Sequence, residues 1–305
     1  GVVSNIKDQE TYTFEQMLTN VMFALAQSKE VSSENICFFD EEVHKKKEFE
    51  NFIESNMQQA LDSQRFEMVL QPKMDLQTNS VIAAEALVRW RLEDGTYLPP
   101  SSFVDIFEKN RFCSKLDFYM LKKAILQIRE WIDMGIEPVN ISVNQSKIVF
   151  YHENYISELK SLLEEYNVSG SYITLEVLES TVIEDIDMFN SILTEVKKLG
   201  FSVSLDDFGS GYSSLNVLSK LQIDELKIDR IFLHTKSEVD NQRTKWILES
   251  IIEIAKKSQI LVVVEGVESK QDDLFIKSLG ADVGQGYFYG RPLSISAFND
   301  LIETK

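Results

Sequence analysis

Cysteine is scarce in this chain of 305 residues: only Cys37 and Cys113 occur, far apart and each in apolar company (ICFF and RFCS). Neither a disulfide framework nor a thiolate zinc site is expected, and a reducing cytosol fits. Histidine is scarcer in proportion to what a His-based metal site needs, since His44, His152 and His234 are scattered. With 5 Pro and 12 Gly, the composition excludes collagen-like and low-complexity chains. No uninterrupted apolar run approaches the ~18 residues of a membrane span, so none is expected. No cleavable signal sequence is expected from the residues at the N-terminus. The chain opens on Gly1 rather than Met, the expectation for a fragment or a trimmed product. Positive charge is also in deficit, Lys+Arg 31 against Asp+Glu 49, a formal charge of −18. That balance argues against binding nucleic-acid polymers or anionic lipid, but permits a small phosphate ligand where cations are held locally.

What the chain does have is apolar, β-rich runs from about residue 66 onward: 66–74, 81–90, 138–144, 172–179, 201–209, 225–232, 260–268 and 282–290. Most are uniformly apolar, as in strands covered on both faces. Helical patterns separate them over 115–134, 148–166, 185–199, 238–257 and 269–279, several ending in Gly. Eight strands alternating with helices predict a TIM-like (β/α)₈ barrel. One connection departs from it. Only Asp75–Ser80 join the first two runs, too few for a parallel crossover, so the first strand is expected to run antiparallel to the second. A turn near Thr78 then puts Gln71 opposite Glu85. Ahead of the barrel, 11–28 reads as a helix, 35–42 as a short strand, and 43–64 as a helix with Phe49, Ile53, Met57 and Ala60 on one stripe.

Polar residues recur near the C-terminal ends of the runs, where barrel active sites lie. They are Glu85, Asn140, Glu176, Asp206–Asp207, Glu265 and Gln285, with Lys227 and Asp229 on the sixth run. An unpaired buried carboxylate costs several kcal/mol, and five together raise one another's pKa values. A single lysine does not balance them. Bound divalent cations do, and all-oxygen ligands point to Mg²⁺ or Mn²⁺. Adjacent Asp206 and Asp207 could serve two cations about 4 Å apart, the arrangement of two-metal phosphodiester cleavage. The residues themselves reach as far as metal-dependent hydrolysis of a phosphoester.

The chain resembles the EAL domain of bacterial cyclic di-GMP phosphodiesterases over roughly 60–305. The resemblance rests on Glu85-Ala86-Leu87 with Arg89, on Gln71-Pro72, Asn140-Ile141-Ser142 and Glu176 to Ser180, and on Asp206-Asp207-Phe208-Gly209 running to Leu215. Leu226 to Asp229, Glu265 to Glu268, and Gln285-Gly286-Tyr287 complete it. It implies hydrolysis of cyclic di-GMP to 5′-pGpG with two Mg²⁺ or Mn²⁺ ions per site. Glu85, Asn140, Glu176 and Asp206 would hold the first ion, and Asp207 with Asp206 the second. Glu265, Lys227 and Asp207 would be catalytic, with Glu265 either a general base or an organiser of the metal site. Gln71, Arg89 and Gln285 would contact substrate, and Glu179 would brace the loop after Asp207. A homodimer in the bacterial cytoplasm is implied as well. Residues 1–40 resemble the end of a GGDEF domain without its signature motif, 41–64 read as a linker helix, and 65–305 as the EAL domain. The alternative is a weakly catalytic domain that holds cyclic di-GMP as a receptor and signals through a partner.

Three positions depart from the family pattern. Lys73 stands where an aliphatic residue is usual and is expected to add charge near the substrate entrance. Leu178 replaces a usual threonine, and IFEKNRF (106–112) lacks a small residue and a glycine. Glu108 and Asp117 are expected on solvated helix faces, Glu268 at a helix-cap or interface contact, and Trp90, Trp131 and Trp246 in packed positions.

Overall fold

The computed structural model describes residues 13–30, 39–179, 186–209, 218, 220–233 and 238–303. Two compact units divide at Ser63/Gln64. In the first, α1 (Phe14–Glu30) and α2 (Glu41–Asp62) are helices. The Asp40 carboxylate accepts from the backbone N–H of Glu42 and Val43, which fixes where α2 begins. Of the expected strand at 35–42, residues 35–38 lie outside the described residues. Its last two, Glu41 and Glu42, are instead the first turn of α2, where their charge suits the helix dipole.

The second unit is a closed barrel of eight strands. Strand β1 (Phe66–Asp75) runs antiparallel to β2 (Val81–Arg91), with Gln71 opposite Glu85 as expected. Asp75 shapes the turn between them by accepting from Gln77 N and Thr78 N at 2.8 and 2.7 Å. A two-residue strand, β3 (Tyr97–Leu98), hangs on the far end of β2 outside the barrel wall. From β2 the wall continues in parallel through β4 (Asn140–Asn144), β5 (Ile173–Leu178), β6 (Ser202–Phe208), β7 (Glu225–Ile228) and β8 (Leu261–Val264). Strand β9 (Val283–Gln285) is parallel to β8 and antiparallel to β1, which closes the ring.

Helices cover the wall because each offers it an apolar stripe. Helix α3 (Val104–Lys109) buries Ile106 and Phe107, and α4 (Cys113–Asp133) buries Leu116, Met120, Ala124 and Ile128. The helix expected over 148–166 is broken into α5 (Lys147–Phe150) and α6 (Tyr155–Tyr166). Tyr155 is drawn inward, where its hydroxyl donates to Gln145 Oε1 at 3.1 Å and its ring packs 5.1 Å from Phe150, so the chain turns between them. Helices α7 (Ile186–Lys198), α8 (Glu238–Lys257), α9 (Lys270–Leu279) and α10 (Ile295–Glu303) follow. Helix α9 opens on a capping box between Ser269 and Asp272 and ends at Gly280, whose φ of 81° suits a residue without Cβ. Trp246 is a correction: it is 59% exposed, because α8 buries its Leu248, Ile252 and Ala255 face instead.

One corner of the barrel explains the unusual IFEKNRF segment. Phe66, Trp90, Phe103 and Phe107 form an aromatic cluster with ring centroids 5.1–6.0 Å apart. Phe112 adds a further ring 4.8 Å from Phe107. Arg111 takes a φ of 64°, so the left-handed turn is made without glycine and Phe107 and Phe112 hold it in place.

Asp117 is also a correction. It is half-buried rather than fully solvated: its Oδ2 accepts from Ser146 N at 2.8 Å and from the Ser146 hydroxyl, which pins the chain just after β4. Burial pushes the Asp117 carboxyl up to about 7, against the opposing pull of the Ser146 donors. Glu268 does sit at a helix start, where its backbone N–H donates to the capping carboxylate of Asp272 at 3.1 Å.

Two measurements check this packing. Phe66→Ala is expected to lower stability by about 3–5 kcal/mol in denaturant unfolding, because a fully buried ring is lost from a cluster that cannot collapse. Between its ordinary pKa of 3.8 and about 7, the folded chain holds a proton on Asp117 that the unfolded chain has released. This carboxyl therefore contributes stability that falls as pH rises through that window. Asp117→Asn is expected to flatten the pH dependence there by up to one proton.

Candidate functional site

The centre of the site is an ammonium. Lys227 lies on β7 with 1% of its side chain exposed, and four carboxylates converge on it. Its Nζ stands 2.7 Å from Glu265 Oε1, 2.9 Å from Glu176 Oε2, 2.9 Å from Asp206 Oδ1 and 3.4 Å from Glu85 Oε2. Burial alone lowers a lysine pKa, but these carboxylates outweigh it and hold Lys227 well above its ordinary value.

The acids respond unequally. Burial raises Glu85, Asp206 and Asp207 above the usual carboxylate range, with Lys227 only partly offsetting it, and takes Glu265 up to about 8. For Glu176 burial acts in the same sense, yet Lys227 and Lys73 overcome it and hold the group down at about 2. One ammonium thus leaves the upper acids short of positive charge, which is the electrostatic demand a divalent cation meets.

Asp206 and Asp207 meet despite being neighbours. A strand turns successive side chains to opposite faces. Here Asp207 adopts φ 56°, a left-handed conformation unusual for a residue with a side chain, and its N–H donates to Asp206 Oδ1 at 2.9 Å. The result is that Asp206, Asp207 and Glu265 each present an oxygen within 4.8 Å of the others. Asp229 caps the short turn after β7 by accepting from Ile231 N at 2.7 Å, and its charge adds to the upward pressure on Asp207.

Asn140 is not part of this cluster. It begins β4 opposite Ala83, where its Nδ2 donates to Ser171 O at 3.2 Å and its Oδ1 accepts from Thr174 at 2.8 Å. The asparagine at the site is Asn144, four residues on, whose Nδ2 donates to Glu85 Oε1 at 3.0 Å. Strand parity cannot separate the two, since both share one face. Height does, because four residues of strand span about 13 Å. The Ser146 contact with Asp117 anchors the chain immediately beyond Asn144.

Lys73 is likewise not at the entrance. Only 1% of its side chain is exposed, and it points into the barrel below Lys227. Its Nζ donates to Ser142 Oγ at 2.7 Å, Glu176 Oε1 at 2.8 Å and Glu225 Oε1 at 2.9 Å. Glu225 was not anticipated as a functional position either. The usable signals were the two-residue spacings Gln71/Lys73 and Glu225/Lys227, which put each pair on one strand face.

Around the mouth, Gln285 donates to Glu85 Oε2 and, at 3.4 Å, to Gln71 Oε1. Gln71 donates to Gly290 O at 3.2 Å. Gln285 Oε1 is buried with no hydrogen-bond partner among the described residues, so the site offers an acceptor to an incoming ligand. Gly286 leaves the strand at φ 155° against Val267, whose carbonyl oxygen would lie 2.2 Å from an added Cβ. Arg89 stands higher on β2, its Nη1 donating to Val88 O at 2.8 Å; burial draws its guanidinium below the ordinary value, with the nearby Glu85 carboxylate opposing it. Glu179 is buried, and its Oε2 lies 3.5 Å from Gly209 N at the start of the loop after Asp207. Residues 210–217 of that loop lie outside the described residues.

The donors fit a hard cation. Glu85, Asn144, Glu176, Asp206, Asp207 and Glu265 supply oxygen without histidine or thiolate, the set that suits Mg²⁺ or Mn²⁺.

A sequence profile described as the EAL domain matches residues 54–292. The cyclic di-GMP phosphodiesterase NbdA of Pseudomonas aeruginosa is 33% identical over 288 residues, covering 94% of this chain and 36% of NbdA. The bifunctional diguanylate cyclase/cyclic di-GMP phosphodiesterase MucR of the same organism is 30% identical, covering 92% of this chain and 41% of MucR. The chain therefore spans well under half the length of these relatives. Among solved structures, the PaMucR phosphodiesterase in complex with c-di-GMP superposes with a TM-score of 0.74 at 32% identity, covering 81% of this chain and 99% of that one. The EAL enzyme Bd1971 with cAMP and cyclic di-GMP bound gives 0.77 at 26% identity, covering 96% of this chain and 77% of that one. With its profile match spanning most of the barrel and its fold shared with these structures, the chain belongs to the EAL domain family.

Proposed function

We propose that this chain hydrolyses cyclic di-GMP to linear 5′-pGpG. The observation that carries the reading is the set of acids converging on Lys227 at the C-terminal mouth of the barrel, in a fold shared with a phosphodiesterase solved with c-di-GMP. Glu85, Asn144, Glu176 and Asp206 would hold a first Mg²⁺ or Mn²⁺, and Asp207 with Asp206 a second, with Glu265 beside them. Such ions, when bound, acidify a nucleophilic water and neutralise charge on phosphate oxygens.

The chain's own groups do the rest. Glu265, whose Oε1 lies 2.7 Å from Lys227 Nζ at the mouth, acts on the attacking water, as its general base or by ordering the ion site around it. The new O–P bond forms as the P–O3′ bond breaks, and the departing O3′ takes up a proton. Lys227 stays charged throughout and holds the acids and the water in register. Gln71 and Gln285 face the substrate, Arg89 pairs with a phosphate oxygen, and Glu179 braces the loop that follows Asp207.

The same reading extends to the wider protein. The match of this chain to a bifunctional cyclase/phosphodiesterase supports taking residues 1–40 as the tail of a GGDEF-like domain and 41–64 as its linker helix. Two chains pair in the bacterial cytoplasm, and no helix among the described residues is long and apolar enough to cross a membrane.

Chromatography after incubation with cyclic di-GMP and Mg²⁺ or Mn²⁺ is expected to show 5′-pGpG, absent without the ion and absent in Glu85→Ala. Tight substrate binding without product would sink hydrolysis and make the chain a receptor. The correction within β4 has its own test. Asn144→Ala is expected to lower kcat/KM by about 10–100-fold, the usual consequence of losing a group at a metal site. Asn140→Ala is expected to leave it within about threefold, and the reverse order would restore Asn140 to the site.

A further inference from the structure

We infer that Lys73 is a positioning residue that decides which oxygen of Glu176 can meet a cation, and thereby excludes chelation by both. This rests on the cation site proposed above. Glu176 is fully buried and lies between two ammoniums, Lys73 on Oε1 at 2.8 Å and Lys227 on Oε2 at 2.9 Å. The two lysines are not equivalent. An ammonium has three N–H donors. Lys73 spends its three on three acceptors, Ser142, Glu176 and Glu225, all at 2.7–2.9 Å in a space closed to solvent. It has nowhere to retreat to. Lys227 shares three donors among four carboxylates, and one of these, Glu265, is 20% exposed. It can release Glu176 Oε2 and keep three partners.

A cation entering from the mouth therefore displaces Lys227 from Oε2, while Oε1 stays with Lys73. A cation at Oε1 would face an immovable positive charge within a few ångströms. Glu176 is thus a one-oxygen ligand. Mg²⁺ keeps a strict six-coordinate shell, whereas Ca²⁺ takes six to eight oxygens and readily accepts both from one carboxylate. Glu176 balances the buried charge of Lys73, and Glu225 Oε1, at 2.9 Å, supplies the third acceptor that fixes the ammonium in place.

The test uses cation binding by the whole chain, measured by calorimetry with Mn²⁺, Mg²⁺ and Ca²⁺ in the absence of nucleotide. In Lys73→Met/Glu225→Leu, which removes one charge of each sign, the ratio of the Ca²⁺ to the Mg²⁺ dissociation constant is expected to fall about tenfold or more. Glu225→Gln keeps an acceptor for Lys73 and is expected to leave that ratio unchanged, which separates positioning from a general loosening of the interior. A folded double variant with an unaltered ratio overturns the assignment to Lys73 alone. Failure of the unaltered chain to bind any of the ions overturns the cation site itself, and this inference with it. Should the double variant not fold, a crystal structure of the unaltered chain with Mn²⁺ decides the matter. Oε2 alone at ligand distance supports the inference, and both oxygens there refute it.

Discussion

A buried ammonium holding four carboxylates is the constraint from which the rest of this barrel follows. Taking Lys227 out of water is costly unless its partners are close and well aimed. Those partners come from β2, β5, β6 and the end of β8, so the pairing fixes the relative heights of strands that are not all neighbours in the wall. The ordinary content of such a barrel is layers of branched apolar side chains. Here two layers are ionic instead: Lys227 with its acids above, and Lys73 with Ser142, Glu176 and Glu225 below. Glu176 belongs to both, which is why it alone of the site's acids is held well below its usual range.

This arrangement leaves a graded electrostatic interior. In the lower layer the three donors of Lys73 are all matched. The upper one is over-supplied with acid, and burial drives Glu85, Asp206, Asp207 and Glu265 upward. Positive charge is therefore in demand only at the end that opens to solvent, which is where a phosphate ester and its cations arrive. The strained backbone at Asp207 belongs to the same design, since a relaxed strand would send its carboxylate away from Asp206.

Much of this was legible in the sequence because strand chemistry is periodic. The short 75–80 connection dictated the reversed first strand, and with it the pairing of Gln71 with Glu85. The acids could be recognised because charge inside an apolar run demands a partner. Height along a strand was not legible, and both errors at the site are errors of height. Asn140 and Asn144 share a face, and only the register with β2 and β5 shows that the second stands beside Glu85. Lys73 is expected at the entrance because it follows Gln71-Pro72, and the reversed strand carries it the other way. Because β1 is reversed, each step from Gln71 toward Asp75 descends, and Lys73 arrives beside Glu225. Asp117 and Trp246 were misjudged for another reason. Helix periodicity finds the buried stripe, but it does not show which polar residue beside that stripe meets a backbone N–H from a neighbouring loop.

The closure of the ring has a consequence for the order of events in folding. Parallel strands β4 to β8 pair with near neighbours in sequence, but β1 reaches its second partner only through β9, with Lys73 opposite Gln285. Contacts across so long a stretch of chain carry a large entropic cost and form late. The Gln71–Gln285–Glu85 contacts lie across that seam. On a ribosome the acids of the central strands emerge long before the glutamine that completes their mouth, so the pocket is completed only when β9 is in place. A chain that stalls short of β9 carries most of the acidic cluster and none of its lid on that side, and is a concentrated negative patch awaiting its final strand.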